Sequence, residues 1–148
     1  MIIKRTDSSN TDFRYLVKFL DQDLAVRDGE EHAFYHQFNA IDQLKNCALF
    51  YIGEKPVACG AFKKFDDDTV EIKRMFVLPE YRGKGYASRI LGELEIWARD
   101  EDFTFAVLET GLKQPEAIAL YTKNGYQLIP NYGQYVGAEN SVCYKKTL

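Results

Sequence analysis

Apolar positions recur along this chain with two different periods. Ile2 and Ile3 open it in an extended stretch over residues 1–6. Phe13, Leu16, Val17, Leu20 and Leu24 then fall at i, i+3, i+4, i+7 and i+11, the spacing of one buried helical face. Ser8-Ser9-Asn10-Thr11 offers N-cap candidates ahead of that helix, and Gly29 a stop. A second, less regular helical segment over 30–45 carries Phe34, Tyr35, Phe38, Ile41 and Leu44. From Cys47 the period shortens to that of strands. CALFYIGEKPVACGAFKKF predicts a hairpin with a strand to Ile52, a turn at Gly53-Glu54-Lys55 and a return strand from Val57 to about Phe65. Asp66-Asp67-Asp68 forms the next turn. A strand rich in β-branched and apolar residues follows over 70–78 and ends at Pro79, which cannot donate to a ladder. Ala87, Ile90, Leu91, Leu94 and Trp97 predict a helix reaching about Arg99. A strand over 103–109, broken by Gly111, leads to a helix that starts at Pro115 and ends at Asn124-Gly125. Strands over 126–129 and 141–146 enclose a loop rich in Gly, Tyr and Asn.

The order β-α-α-β-β-β-α-β-α-β-β is an α+β pattern, with a mixed and mainly antiparallel sheet flanked by helices. No repeat, low-complexity tract or linker divides it, so residues 1–148 are expected to form one domain. The net charge of −3, without a basic block, argues against a nucleic-acid partner. MIIKRTDSSN lacks an apolar signal core and no run approaches membrane-spanning length, which makes the cytoplasm the expected compartment and a membrane partner unexpected. Cys47, Cys59 and Cys143 are scattered among apolar neighbours and read as buried reduced thiols, neither a disulfide framework nor a metal site.

The chemistry concentrates in VEIKRMFVLPEYRGKGYA, residues 70–87, where a strand runs through a short connection into a glycine-rich turn that opens a helix. Such a helix start aims free N–H groups and the positive dipole end at whatever lies in front of it. Gly83 and Gly85 let a phosphate approach the backbone, and Arg82 and Lys84 add positive charge. Three glycine-turn patterns compete for this anion cradle. Gly-x-x-x-x-Gly-Lys-Ser/Thr is absent, and Gly-x-Gly-x-x-Gly fails at its third glycine, where Ser88 stands. Arg/Gln-x-x-Gly-x-Gly/Ala is matched at every fixed position by Arg82, Gly85 and Ala87.

On these residues the chain resembles the GNAT N-acetyltransferase superfamily, whose members bind acetyl-CoA. LETGLKQPEAIALYTKNGYQLI, residues 108–129, is similar to the family's next strand, helix and strand, so two blocks in order span most of residues 70–130. The resemblance implies a GNAT-like fold with a splayed central strand pair, 70–78 and 103–109, and the acyl thioester between them. It implies acetyl-CoA as co-substrate, held by the backbone of Met75, Phe76 and Val77, by Arg82, Gly83, Lys84, Gly85, Tyr86, Ala87 and Ser88, and by Gln114, which stands where many members have asparagine. The implied reaction moves an acetyl group to a primary amine of a small molecule by direct transfer in a ternary complex, without a metal. A lysine or amino-terminal protein acceptor, and a non-catalytic acyl-CoA-sensing domain, are its alternatives. A homodimer is also common among such proteins.

Acetyl transfer needs a neutral amine, donors for the developing oxyanion and a proton or hydrogen bond for the leaving thiolate. Glu71, eleven residues before Arg82, is the candidate base, by analogy with family members, including histone acetyltransferases, that use a glutamate at this spacing through water. Its alternative is an exposed strand carboxylate paired with Lys73 on the same face. Tyr121 falls where the family often places a tyrosine near the CoA sulfur, and is the candidate donor to the thiolate; alternatively it is a core aromatic sharing a face with Ala117 and Leu120. His32 and His36 stand one helical turn apart, but no third ligand completes a zinc site. Tyr35 and His36, and the loop from Asn131 to Tyr135, are candidate walls of the acceptor pocket in such a fold.

Overall fold

A computed structural model describes residues 1–28 and 44–148. The second predicted helix, with Tyr35, His32 and His36, therefore lies outside the described residues, except for Leu44 and Lys45, which precede a strand and are not helical. The described elements are β1 (Ile2–Thr6), α1 (Thr11–Asp28), β2 (Asn46–Ile52), β3 (Lys55–Lys64), β4 (Thr69–Val77), α2 (Tyr86–Asp100), β5 (Phe105–Gly111), α3 (Pro115–Lys123), β6 (Gln127–Ile129) and β7 (Ser141–Thr147). Among them the strands form one sheet in the order β1-β2-β3-β4-β5-β7-β6. Every pairing is antiparallel except β4 with β5. A parallel neighbour requires a crossover, and α2 supplies it.

The N-cap of α1 is Asn10, whose Oδ1 accepts from the N–H groups of Asp12 and Phe13 at 2.8 and 3.1 Å. Such a cap contributes about 1 kcal/mol. Phe13, Leu16, Val17 and Leu20 are buried as their spacing requires, on the β2–β4 part of the sheet. Ile90, Leu91, Leu94 and Ala98 of α2 pack on the other face, where Trp97 meets Phe62 edge to face at 5.6 Å. The strand expected from Phe103 begins two residues later. Asp102 turns the chain at φ 69, and Thr104 and Phe105 both donate to the carbonyl of Asp68, anchoring the entry to β5. Gly111 does not interrupt that strand but ends it, paired with Ser141.

One irregularity shapes everything that follows. Between Cys59 and Ala61 of β3 there is one residue, while Phe76 and Lys73, their partners on β4, enclose two: Arg74 and Met75. Arg74 sits at φ 60, in the left-handed region, so β4 carries a bulge. Without it, Arg74 would continue the alternation onto the α2 face. With it, Lys73 and Arg74 share the α1 face, where Arg74 Nη1 donates to Asp21 Oδ1 at 2.6 Å. Gly60 lies opposite the bulge. A Cβ there would come to 3.0 Å or less from Met75 Sδ, Ile90 Cγ2 and Leu94 Cδ1. Overpacking of this kind costs about 1–3 kcal/mol, so Gly60→Ala is expected to lower the melting temperature by roughly 3–10 °C, read by thermal denaturation.

Candidate functional site

β4 and β5 pair only over Thr69–Phe105, Val70–Ala106 and Glu71–Val107. Beyond Glu71 the two strands separate, which leaves the facing backbone edge of β4 without a strand partner and opens a cleft between them. The splay expected from the resemblance is present. A cavity of about 80 Å³ sits at its base, lined among others by Glu71, Lys73, Arg74, Glu109, Tyr121 and Tyr135.

Glu71 is not the exposed carboxylate of the alternative reading: it is 3% exposed. Tyr132 donates a 2.6 Å hydrogen bond to its Oε2, while the ammonium groups of Lys63 and Lys73 each stand 3.8 Å from its Oε1. The expected pairing with Lys73 is therefore real, in a buried setting. Burial lowers the pKa of Lys73, the charge of Glu71 works against that, and Lys63 and Arg74 push it further down. Glu109, across the cavity on β5, accepts from Ser141 Oγ at 2.8 Å.

Tyr121 is buried on α3, edge to face with Tyr126 at 5.8 Å. It fills a core position and lines the inner cavity as well, so its two readings describe one side chain. Burial raises the pKa of its phenol, and the Glu109 carboxylate raises it further. Tyr132 and Tyr135 are shifted the same way, again by burial first and then by the surrounding carboxylates. The three shifts favour the protonated phenols, and Tyr132 uses its proton on Glu71.

An outer cavity of about 380 Å³ adjoins the first and shares Leu20, Met75 and Gln114 with it. Phe76, Val77, Arg82, Gly83, Gly85, Tyr86, Ala87 and Ser88 line it. Gly83 and Gly85 have φ of 77 and 83, and a Cβ on either would meet no protein atom within 4 Å. Glycine is needed there for its left-handed backbone, and the open space in front suits a ligand phosphate. Gly85 is the N-cap of α2, so the first N–H groups of the helix face this space without intrahelical partners. Tyr86 stacks on Phe50 at 4.6 Å and fixes the start of the helix. Arg82 is held by its Nε bond to the Val77 carbonyl, 2.9 Å, and by the Phe76 ring. Ser88 Oγ accepts from Asn124 Nδ2 at 3.1 Å, tying the first turn of α2 to the end of α3.

Lys84 is the exception among the motif residues. It is exposed, its ammonium lies 5.7 Å from the Tyr81 ring, and it does not line the cavity. The positive charge at this lip comes instead from Arg82 and from Lys123 at the end of α3, which sequence reasoning did not single out. At the opposite rim, Arg27 pairs with Asp23 and with Glu116 and donates to the Lys113 carbonyl at 3.3 Å, so α1 is fastened to the start of α3. The loop proposed as an acceptor wall contributes through Tyr135, which lines the inner cavity, and through Tyr132 on Glu71. Glu109 was also missed; its one signal is a carboxylate closing the apolar run Ala106-Val107-Leu108. Among the described residues no group of three or more His, Cys, Asp or Glu is placed to hold a metal, and no helix is long and apolar enough to cross a membrane.

Comparison with known proteins bears on the same residues. The pattern of the Acetyltransferase (GNAT) family matches residues 13–126. An IAA acetyltransferase of Azospirillum brasilense is 39% identical over 93 residues, which is 62% of this chain and 61% of the relative. The chain thus spans about three-fifths of that relative and smaller shares of others it matches. Among solved structures, a Klebsiella pneumoniae protein assigned as an acyl-CoA N-acyltransferase has a TM-score of 0.82 and 28% identity, covering 99% of this chain and 97% of its own. A GNAT acetyltransferase of Elizabethkingia anophelis with acetyl-CoA bound shares the fold, with a TM-score of 0.68, 16% identity and coverage of 99% and 97%.

Proposed function

Because this chain belongs to the GNAT acetyltransferase family, we propose that it transfers the acetyl group of acetyl-CoA directly to a primary amine of a small molecule. The observation that carries this reading is the meeting of two cavities at Leu20, Met75 and Gln114: an anion cradle opens onto a polar chamber that holds a carboxylate and a phenol. Acetyl-CoA would supply the activated acyl group. The N terminus of α2, Gly83, Gly85 and Arg82 would bind its pyrophosphate, and the unpaired edge of β4 from Met75 to Val77 its pantetheine amides. That edge also offers N–H groups to charge developing on the thioester oxygen.

Glu71 is assigned the removal of the amine proton. Tyr121 is assigned the leaving sulfur. Its raised pKa makes it a weaker acid than a thiol, so it stabilises the thiolate as a hydrogen-bond donor without giving up its proton. The small volume of the inner cavity favours a small acceptor over a folded protein. A reducing compartment, the cytoplasm, suits three free buried thiols.

Thiol release from acetyl-CoA across amines, amino acids, polyamines, aminoglycosides and lysine peptides tests the proposal. Burial pushes Cys47 up to about 12 and Cys143 to about 11, so the protein's own thiols add little background. Turnover with small amines is expected. Turnover confined to peptides would replace the acceptor class, and stabilisation by acetyl-CoA without turnover would favour a sensing domain. Neither turnover nor stabilisation would overturn the assignment.

A further inference from the structure

The two oxygens of the buried Glu71 carboxylate have different surroundings. Oε2 accepts the 2.6 Å hydrogen bond of Tyr132, and Oε1 faces the ammonium groups of Lys63 and Lys73. Glu71 and Lys73 both line the inner cavity, whereas Tyr132 lines neither that cavity nor the outer one. The phenol thus meets Glu71 on the side away from the chamber, and Oε1 is the oxygen turned toward it. Tyr132 is carried by residues 130–140, a connection between the paired strands β6 and β7 where about 2–5 residues would close a hairpin. In the sheet β5 separates β7 from β4, so this loop reaches past its own neighbour to touch Glu71. It is knit to itself: Asn131 Nδ2 lies 3.1–3.2 Å from the carbonyl oxygens of Tyr135, Ala138 and Ser141. The ring of Tyr132 is held edge to face on two sides, by Phe65 after β3 at 5.0 Å and by Tyr135 at 5.8 Å.

A glutamate carboxylate turns easily about its last torsion, whose energy wells are broad. We propose that Tyr132 is a positioning residue for the base assigned above: its hydroxyl fixes the plane of the Glu71 carboxylate so that Oε1 receives the acceptor's proton. The inference rests on the acetyltransferase reading. In this step one N–H bond of the acceptor ammonium breaks, its electron pair stays on nitrogen, and the proton forms an O–H bond at Oε1. The ammonium and carboxylate charges cancel. The phenol keeps its own proton throughout, since burial and the adjoining carboxylate both disfavour its ionisation. At Tyr132 the loop therefore acts from behind the chamber, while Tyr135 supplies part of its wall.

Tyr132→Phe removes one oxygen and keeps the ring between Phe65 and Tyr135. Thiol release is followed at saturating acetyl-CoA over amines of graded pKa, for this variant alone and combined with Glu71→Gln. For alkylamines kcat is expected to fall about ten- to hundredfold, with KM for acetyl-CoA and stabilisation by acetyl-CoA unchanged. The loss should shrink for amines already neutral at pH 7. It should vanish alongside Glu71→Gln, where no base is left to orient. A loss independent of acceptor pKa, or one that persists at full size alongside Glu71→Gln, would overturn the positioning role and leave the transferase standing. If Tyr132→Phe does not fold, Phe65→Leu decides in its place, because it loosens the ring from an exposed position and keeps the hydroxyl. A loss that rises with acceptor pKa then supports the proposal, and its absence overturns it. No turnover by the wild-type protein with any acceptor would overturn the transferase reading, and the positioning role with it.

Discussion

Gly85→Asp is expected to yield a folded protein that acetyl-CoA no longer stabilises. Gly85 caps α2 at φ 83, a conformation that costs an L-residue roughly 1–2 kcal/mol and that aspartate tolerates better than most. An added Cβ meets no protein atom within 4 Å, so nothing in the fold is displaced. The usual benefit of aspartate as an N-cap requires a β-region backbone and is forfeited here. The free protein should therefore lose only about 1 kcal/mol. For the ligand the same change is severe. A carboxylate placed at the proposed pyrophosphate site would repel each nearby unit charge by about 4 kcal/mol at 4 Å and an effective dielectric of 20. Affinity for acetyl-CoA should fall by about a thousandfold or more. Gly85→Asn separates the causes, because it has the same shape and the same tolerance of the left-handed region but no charge. Melting curves with and without acetyl-CoA should rank wild type above Asn and Asn above Asp in ligand-induced shift. An undiminished shift in Gly85→Asp would remove the cradle from the cofactor site.

The cradle was legible in sequence because its cause is local. Two glycines flanked by cations after a strand can be recognised from six residues, and the turn they make depends on little else. The helix N-cap at Asn10 and the buried stripe of α1 are local in the same sense. Lys84 shows the limit of that legibility. Its place between the glycines suggests a phosphate contact, but the positive φ on both sides sends it to the ring of Tyr81. The bulge could not be read at all. Arginine carries no preference for φ 60, and nothing near Arg74 announces it; the matching space is made by Gly60, across the ladder, under α2. What the bulge determines was accordingly missed. The face shared by Lys73 and Arg74, and the burial that turns an ordinary strand alternation of Glu71 and Lys73 into a charged chamber, are products of pairing and layering. Glu109 and Tyr132 come to that chamber from β5 and from the loop before β7, elements far apart in sequence.

Glu71→Gln is expected to reduce kcat by about a hundredfold to ten-thousandfold for alkylamine acceptors while leaving stabilisation by acetyl-CoA intact. An amine of lysine-like pKa needs about 4–5 kcal/mol to be neutral at pH 7, and a positioned base is what lowers that demand. Glutamine keeps the volume of a side chain that is 3% exposed, and can still accept from Tyr132, but it removes the counter-charge of Lys63 and Lys73. A fall in activity alone would therefore not distinguish proton removal from loss of local order. The acceptor's own basicity does. An amine with a pKa below 7 is already neutral, so the loss on Glu71→Gln should shrink steeply for such acceptors if the carboxylate takes the proton. If Glu71 only holds the two lysines in place, the loss should be equal across the series. Tyr121→Phe supplies the contrast. Its hydroxyl is assigned to the departing sulfur, which is the same whatever the acceptor, so its loss should not depend on amine pKa. The two variants, assayed over one series of amines, should give one sloped and one flat plot of log rate loss against pKa. Two flat plots would leave Glu71 as an organiser of charge, and the base would have to be sought in bound water or elsewhere around the chamber.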